Sequence, residues 1–135
     1  MHFQSISRDA INQLNALIID DESDICFLLS NILKQRNVDA NVACSLSEAD
    51  QLLNRVIAPP VIFLDNHLPD GLGINYISKL KKTFPTTKIV MMTAHDNMSD
   101  REKAKGEGVD YFIGKPFSKD LIFSTLDEIN GKIAS

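Results

Sequence analysis

Val61-Ile-Phe-Leu-Asp65 places four apolar residues directly before a carboxylate, without alternation of polar and apolar side chains. Such a run is typical of a strand that is covered on both faces, as in a parallel sheet. Short, largely apolar runs recur at 16–19, 41–44, 89–92 and 109–113, and amphipathic segments lie between them. Five strand–helix units in succession predict an α/β domain with helices on both faces of a parallel sheet.

The segments between these runs carry helix signals. Apolar residues recur at helical spacing in 24–36, where Leu28 is part of the predicted inward stripe, and in 45–56, which begins with a capping box at Ser45 and Glu48. The predicted helix 73–83 stops before Pro85, a second capping box is predicted at 99–102, and Ser118 is expected to cap the last helix.

Length and composition indicate one globular domain. The 135 residues suit a single hydrophobic core, and a net charge of −4 argues against a surface that coats nucleic acid. No apolar run approaches the roughly 18 residues of a membrane span, and 1–13 lack the apolar stretch of a signal peptide. Cys26 and Cys44 are interpreted as buried free thiols, which fits a reducing compartment. We therefore expect a cytoplasmic protein that does not bind membranes, with an N-terminal extension at 1–13 and the domain at 14–132.

Polar residues follow four of the predicted strands. Asp20 and Asp21, Asp65, Thr93 and Lys115 each come at a strand end, and the carboxyl ends of parallel strands are where such sheets bind ligands. Three neighbouring carboxylates need a cation, and oxygen ligands with room for water favour Mg²⁺. A carboxylate beside Mg²⁺ can attack phosphorus, with an ammonium and a hydroxyl to bind the phosphoryl oxygens.

The sequence resembles the receiver domain of two-component response regulators. The matching motifs, in order, are LIIDDE at 17–22, VIFLD at 61–65, LPDG at 68–71, MMTA at 91–94 and GKPF at 114–117. One of these motifs alone would be weak, but five in order at similar spacing, over roughly 14–132, make the resemblance specific. It implies a flavodoxin-like (βα)5 fold with a five-stranded parallel sheet of order 2-1-3-4-5.

The resemblance also implies roles for the residues at the predicted edge. Asp65 would be the phosphoacceptor, Asp21 and Asp65 would bind Mg²⁺ directly, and Asp20 would act mostly through a coordinated water. The backbone carbonyl of His67 would complete the protein ligands. Lys115 would pair with the phosphate, and the peptide bond before Pro116 would be cis.

The resemblance further implies a switch. Phosphoryl capture would draw Thr93 inward and bias Phe112, at the family's switch-aromatic position, toward an inward rotamer. The surface of the fourth helix, fifth strand and fifth helix would then change its preference for a downstream protein. The phosphoryl donor would be a sensor histidine kinase or a phosphotransfer protein. The domain itself would not bind nucleic acid directly, and a homodimer is left open.

His67 and His95, each two residues beyond a site residue, have two interpretations. They are either exposed loop imidazoles without a special role, or they tune the lifetime of the phosphoryl group by shielding it from water or contacting it. The second hypothesis predicts a half-life that depends on pH near 6 to 7, where imidazole titrates.

Three further questions stay open from the residues alone. A phosphatase of the haloacid-dehalogenase type also uses a Mg²⁺-bound Asp after a strand, but it places a second Asp where this chain has His67. A degenerate receiver acting as a scaffold is the other alternative, against which the full set of five polar residues argues. The chain is interpreted as either a stand-alone receiver or the N-terminal part of a longer regulator.

Overall fold

The computed structural model describes residues 14–54 and 58–134. Within them the five strands of the main sheet alternate with five helices: β1 (Leu14–Ile19), α1 (Ser23–Lys34), β2 (Val38–Ala43), α2 (Leu46–Leu53), β3 (Val61–Asp65), α3 (Ile77–Thr83), β4 (Lys88–Thr93), α4 (Met98–Glu107), β5 (Tyr111–Gly114) and α5 (Lys119–Ala134). The strands are all parallel in the order β2-β1-β3-β4-β5. The predicted flavodoxin-like architecture is confirmed.

The sheet has a hydrophobic core on each face because neighbouring residues of a strand point in opposite directions. In β3, Phe63 belongs to the cluster beneath α1 and α5, whereas Ile62 and Leu64 belong to the cluster beneath α2, α3 and α4. Every residue of β3 is buried, which explains its unbroken apolar run. Helices therefore cover both faces, and the carboxyl edge of the sheet stays accessible.

Two short elements connect β3 to α3. His67–Leu68 pairs with Gly71–Leu72 as an antiparallel hairpin, and a 3₁₀ turn spans Gly73–Tyr76. The first turn of the predicted helix 73–83 is therefore 3₁₀, and the α-helix begins only at Ile77. The hairpin lies directly after Asp65, so its position bears on the site.

Several local predictions differ from the structure. The strand predicted at 41–44 runs from Val38 to Ala43, because β2 is an edge strand whose polar residues face solvent. The capping box predicted at 99–102 is wrong: Asn97 caps α4, and its side chain accepts a hydrogen bond from the Asp100 backbone N–H at 2.8 Å. Ser99 lies inside the first turn.

Two burial predictions are also wrong. Leu28 is exposed, because α1 turns Cys26, Leu29, Ile32 and Leu33 toward the sheet. Cys26 is buried, but Cys44 is exposed, since it follows the last residue of an edge strand. The predicted extension 1–13 and the predicted inward-facing Val56 lie outside the described residues. In the described part of the chain, no helix combines the length and the apolar character needed to cross a membrane.

Candidate functional site

The sheet order brings the predicted polar residues to one edge. Asp20 follows β1, Asp65 ends β3, Thr93 ends β4 and Lys115 follows β5, and these four strands are neighbours in the sheet. Asp20, Asp65 and Thr93 are buried, whereas Asp21 is exposed. Side chains that are far apart in sequence thus form one small polar site with an open side.

Three carboxylates form a group suited to a cation. Asp20, Asp21 and Asp65 each offer an oxygen, and these oxygens all lie within 4.8 Å of one another. Oxygen-only ligands favour a hard ion, and the exposure of Asp21 leaves room for the coordinated waters that Mg²⁺ retains. The residues present therefore fit a magnesium ion.

Lys115 is the cation that balances these carboxylates in the structure. Its Nζ donates to Asp20 Oδ2 at 2.7 Å, to Glu22 Oε1 at 3.1 Å and to Asp65 Oδ1 at 3.3 Å. Burial lowers the pKa of Lys115, but the hydrogen bond to Asp20 and the charges of Asp65 and Asp20 outweigh it, and the pKa lies above its ordinary value. The ammonium therefore remains charged at neutral pH.

Glu22 is a site residue that sequence reasoning did not assign. It is exposed and contacts Lys115 from the start of α1. The available signal was its place as the third acid of the LIIDDE motif. Its contact shows that the ammonium is shared between three carboxylates.

Asp65 experiences opposing effects. Burial raises the pKa of its carboxyl group, Asp20 raises it further, and Lys115 lowers it; the net direction is upward. A buried carboxylate with a second carboxylate beside it is costly to ionise without a cation. A divalent ion at this position would relieve that cost and favour the ionised form of Asp65.

The backbone after Asp65 is held by a close approach of Gly73. A Cβ added at Gly73 would lie 2.2 Å from the Asp65 carbonyl oxygen, so the chain requires glycine there. The Gly73 N–H donates to the Asn66 carbonyl at 2.7 Å, and the buried Asn66 side chain accepts from the Ile74 N–H at 2.9 Å. Sequence reasoning missed both residues, because only the folded chain shows this approach.

The hairpin after Asp65 is also tied to a neighbouring helix. Asp70 accepts hydrogen bonds from the backbone N–H groups of Leu46 and Ser47 at 2.9 and 3.0 Å. These bonds lower the pKa of Asp70 and place a negative charge at the first turn of α2, where it is favourable. The hairpin that carries the His67 carbonyl is thereby held at its turn by α2 and at its base by the hydrogen bond from Gly73 to Asn66.

His67 and His95 lie together at the site. Their rings meet edge to face with centroids 4.9 Å apart, and both residues are exposed. The His95 backbone N–H donates to Thr93 Oγ1 at 3.1 Å. The Thr93 hydroxyl oxygen therefore accepts a hydrogen bond from the loop that follows β4.

Phe112 lies on β5, two residues before Gly114, which is the register partner of Thr93. Its ring is half-buried and is covered by the guanidinium of Arg101, with Cζ 4.7 Å from the ring centroid. The peptide bond between Lys115 and Pro116 is cis. The structure thus brings every predicted site residue to the carboxyl edge of the sheet or to the segment beside it.

Comparison with known proteins shows the family. The model of the response regulator receiver domain matches residues 16–127, and the chain belongs to this family. Response regulator protein PilR of Pseudomonas aeruginosa is 32% identical over 78% of this chain. The phosphate regulon transcriptional regulatory protein PhoB of Escherichia coli is 36% identical over 78% of this chain.

Solved structures of response regulators have the same fold as this chain. The beryllofluoride-activated NtrC4 receiver domain dimer is 32% identical, with a TM-score of 0.80 over 85% of this chain and 94% of that one. A two-component response regulator from Clostridium difficile is 26% identical, with a TM-score of 0.85 over 91% of this chain and 100% of that one. Receiver domains are phosphoacceptors in signalling rather than enzymes acting on a separate substrate, so the family differs from the phosphatase alternative.

This chain spans only part of the curated relatives. The matched segment is 24% of PilR and 47% of PhoB. What the family shows about this chain therefore concerns the receiver domain, a phosphorylation-dependent signalling module.

Proposed function

We propose that this receiver domain accepts a phosphoryl group on Asp65, with the help of Mg²⁺, and thereby switches its affinity for a downstream protein. The observation that carries the proposal is the position of the Asp65 carboxylate. It lies beside two further carboxylates, with which it suits a divalent ion, and within hydrogen-bond distance of the Lys115 ammonium, whose Nζ is 3.3 Å from Asp65 Oδ1.

The proposed transfer follows from this arrangement. An Asp65 carboxylate oxygen attacks phosphorus, the bond from phosphorus to the donor nitrogen breaks, and the donor imidazole keeps the electron pair and takes a proton. Lys115 binds a phosphoryl oxygen as negative charge spreads over the transferred group. Asp21, Asp65, the His67 carbonyl and, through water, Asp20 would hold Mg²⁺, which would supply further positive charge for the phosphoryl oxygens.

The Thr93 hydroxyl would report that transfer has occurred. It now accepts a hydrogen bond from the His95 N–H, and a hydroxyl that accepts one bond still has a proton to donate. Donation to a phosphoryl oxygen would draw Thr93 toward Asp65. We propose Phe112 as the aromatic ring that then moves inward.

Incubation with acetyl phosphate and Mg²⁺, followed by intact-mass measurement, tests the proposal. The parent protein should gain one phosphoryl group, and Asp65→Asn should gain none. Asp120→Asn, which removes an exposed carboxylate on α5 that pairs with none of the site residues, is the matched control and should behave as the parent does. A phosphoryl group on Asp65→Asn, or none on the parent, would contradict the assignment of the acceptor.

The same function requires a phosphoryl donor and a surface for a downstream protein. The donor is a sensor histidine kinase or phosphotransfer protein in the cytoplasm, and the output surface is that of α4, β5 and α5. A second copy of the chain is a further proposed partner, since the NtrC4 receiver domain was solved as a dimer. We propose 14–132 as the receiver domain and 1–13 as an N-terminal extension that the switch does not require.

We also propose that the domain dephosphorylates itself and that His67 and His95 set the rate. The edge-to-face contact of their rings supports this role, as does the hydrogen bond from the His95 backbone N–H to Thr93. The first-order loss of the phosphoryl group should change in His67→Asn and in His95→Ala, and the double variant should not show the sum of both effects. Loss rates equal to the parent's in both single variants would leave the pair as ordinary loop residues.

A further inference from the structure

Arg101, on α4, joins three segments that the proposed switch must move. Its Nε and Nη2 donate to Asp96 Oδ1 and Oδ2 at 2.5 and 2.8 Å, a two-pronged pair with the loop that follows β4. Its Cζ lies 4.7 Å from the centroid of the Phe112 ring on β5. A single guanidinium therefore holds the loop, the helix and the strand together.

Asp96, the partner of Arg101 in the loop after β4, lies close in the chain to Thr93. The His95 N–H donates to Thr93 Oγ1, and Asp96 is the next residue. The Asp96 carboxylate also lies against β5, since a Cβ at Gly114 would be 3.0 Å from Asp96 Oδ2. A displacement of Thr93 toward Asp65 would shift His95 and Asp96, and through them the guanidinium above Phe112.

The rest of α4 offers little to hold this arrangement. Ala104 is the buried residue of the helix, and Met98 is exposed. The planar guanidinium suits both contacts, because it can pair with a carboxylate through two N–H groups and stack on an aromatic face. The Arg101 pair also lowers the pKa of Asp96, so both partners are charged at neutral pH.

We propose that Arg101 is a positioning residue: it keeps the Phe112 ring half-exposed in the unphosphorylated protein and couples that ring, through Asp96, to the loop that follows Thr93. This proposal rests on the proposed switching function and adds a regulatory contact to it. The contact stabilises the unphosphorylated conformation. Its loss therefore raises the fraction of molecules in the conformation that accepts the phosphoryl group.

The rate constant of phosphoryl uptake from acetyl phosphate and Mg²⁺ is the first test. Arg101→Ala should take up the group between about twofold and tenfold faster than the parent, the range expected from losing one exposed ion pair and one cation–π contact. Arg101→Lys keeps the charge without the two-pronged geometry, so its uptake rate should lie between those of the parent and Arg101→Ala. Lys103→Ala, an equal loss of charge on the exposed face of α4, should match the parent.

The second test follows the Phe112 ring directly and needs no reaction at Asp65. With ring-labelled phenylalanine, the NMR signal of Phe112 in the parent should shift when beryllofluoride and Mg²⁺ are added. In Arg101→Ala and Asp96→Asn the signal should already lie part of the way toward that position without either reagent. The double variant should show no shift beyond that of Arg101→Ala alone, because Arg101→Ala already removes the pair with Asp96.

The two proposals fail in different ways. A parent protein that takes up no phosphoryl group overturns the proposed function, while the unliganded ring signal still tests the contact. Uptake by Arg101→Ala and Arg101→Lys at the parent's rate, with Phe112 unshifted, overturns the role of Arg101 alone. Since Arg101→Lys retains the charge and the stem of the side chain, it remains informative if Arg101→Ala is less stable.

Discussion

The carboxyl group of Asp65 is held where its charge is unfavourable in the metal-free protein. Burial raises its pKa above the ordinary value of 3.8, Asp20 adds to this effect, and Lys115 opposes it. Lys115 does not fully offset this rise in the pKa of Asp65, because its Nζ also donates hydrogen bonds to Asp20 and Glu22. Ionised Asp65 therefore costs folding free energy, and a divalent ion bound there would reduce this cost.

Asp65→Asn should consequently raise the thermal midpoint of the metal-free protein at neutral pH by several degrees. The sign follows from linkage: a carboxyl group whose folded-state pKa is raised lowers stability as pH rises through that pKa, and has no such effect well below it. Thermal unfolding in EDTA from pH 4 to 8 should show a gap between variant and parent that widens with pH. A parent more stable than the variant at the upper end would refute this explanation.

At the scale of elements, the segment after β3 is held by a contact that tolerates no side chain. Gly73→Ala would place a Cβ against the Asp65 carbonyl, so the backbone at Asp65 must shift. We expect a loss of stability of about 1–3 kcal/mol and slower phosphoryl uptake. Gly106→Ala is the control: no atom lies within 4 Å of its added Cβ, and α4 should gain about 0.5–1 kcal/mol. Equal effects of both substitutions would argue against the close approach.

Helix α4 depends on its cap because it buries little apolar surface. The Asn97 side chain accepts the Asp100 N–H at 2.8 Å, and Asn97→Ala should cost about 1 kcal/mol. Amide hydrogen exchange should accelerate first in α4, since weakly packed elements open locally. Ser99→Ala, at the position predicted from sequence to be the cap, should change stability little; a larger loss there than at Asn97 would restore the original prediction.

At the scale of the whole molecule, a ligand that binds the folded carboxyl edge should stabilise the entire domain. Mg²⁺ should raise the thermal midpoint of the parent, and a concentration of 100 times Kd would add about 2.7 kcal/mol. Asp21→Asn should weaken this response without harming the fold, because Asp21 is exposed. Potassium chloride at equal ionic strength controls for screening. An unchanged response in Asp21→Asn would remove this residue from the metal ligands.

The sequence was sufficient for the fold and for the main polar residues of the site, but not for Glu22, Asn66 or Gly73. Each buried strand is a local signal, a short apolar run that ends at a polar residue, and the order of strands and helices restricts the topology. Asp20, Asp65, Thr93 and Lys115 could therefore be placed at one edge before any distance was known. Predictions from local sequence were weaker where the pattern was ambiguous. They placed the cap of α4 at Ser99 instead of Asn97, and they predicted that Cys44 is buried, whereas it is exposed.

Only the tertiary structure decided which residues contact one another at the site and which contacts hold them in place. Lys115 and Asp20 are 95 positions apart and meet at 2.7 Å. The Gly73 approach to Asp65, the His67–His95 ring contact and the Arg101 guanidinium above Phe112 likewise have no sequence signature. The physical reason is range: backbone propensity and apolar periodicity act between near neighbours in the chain. Hydrogen bonds and ring contacts depend on atomic positions that exist only once distant segments have packed.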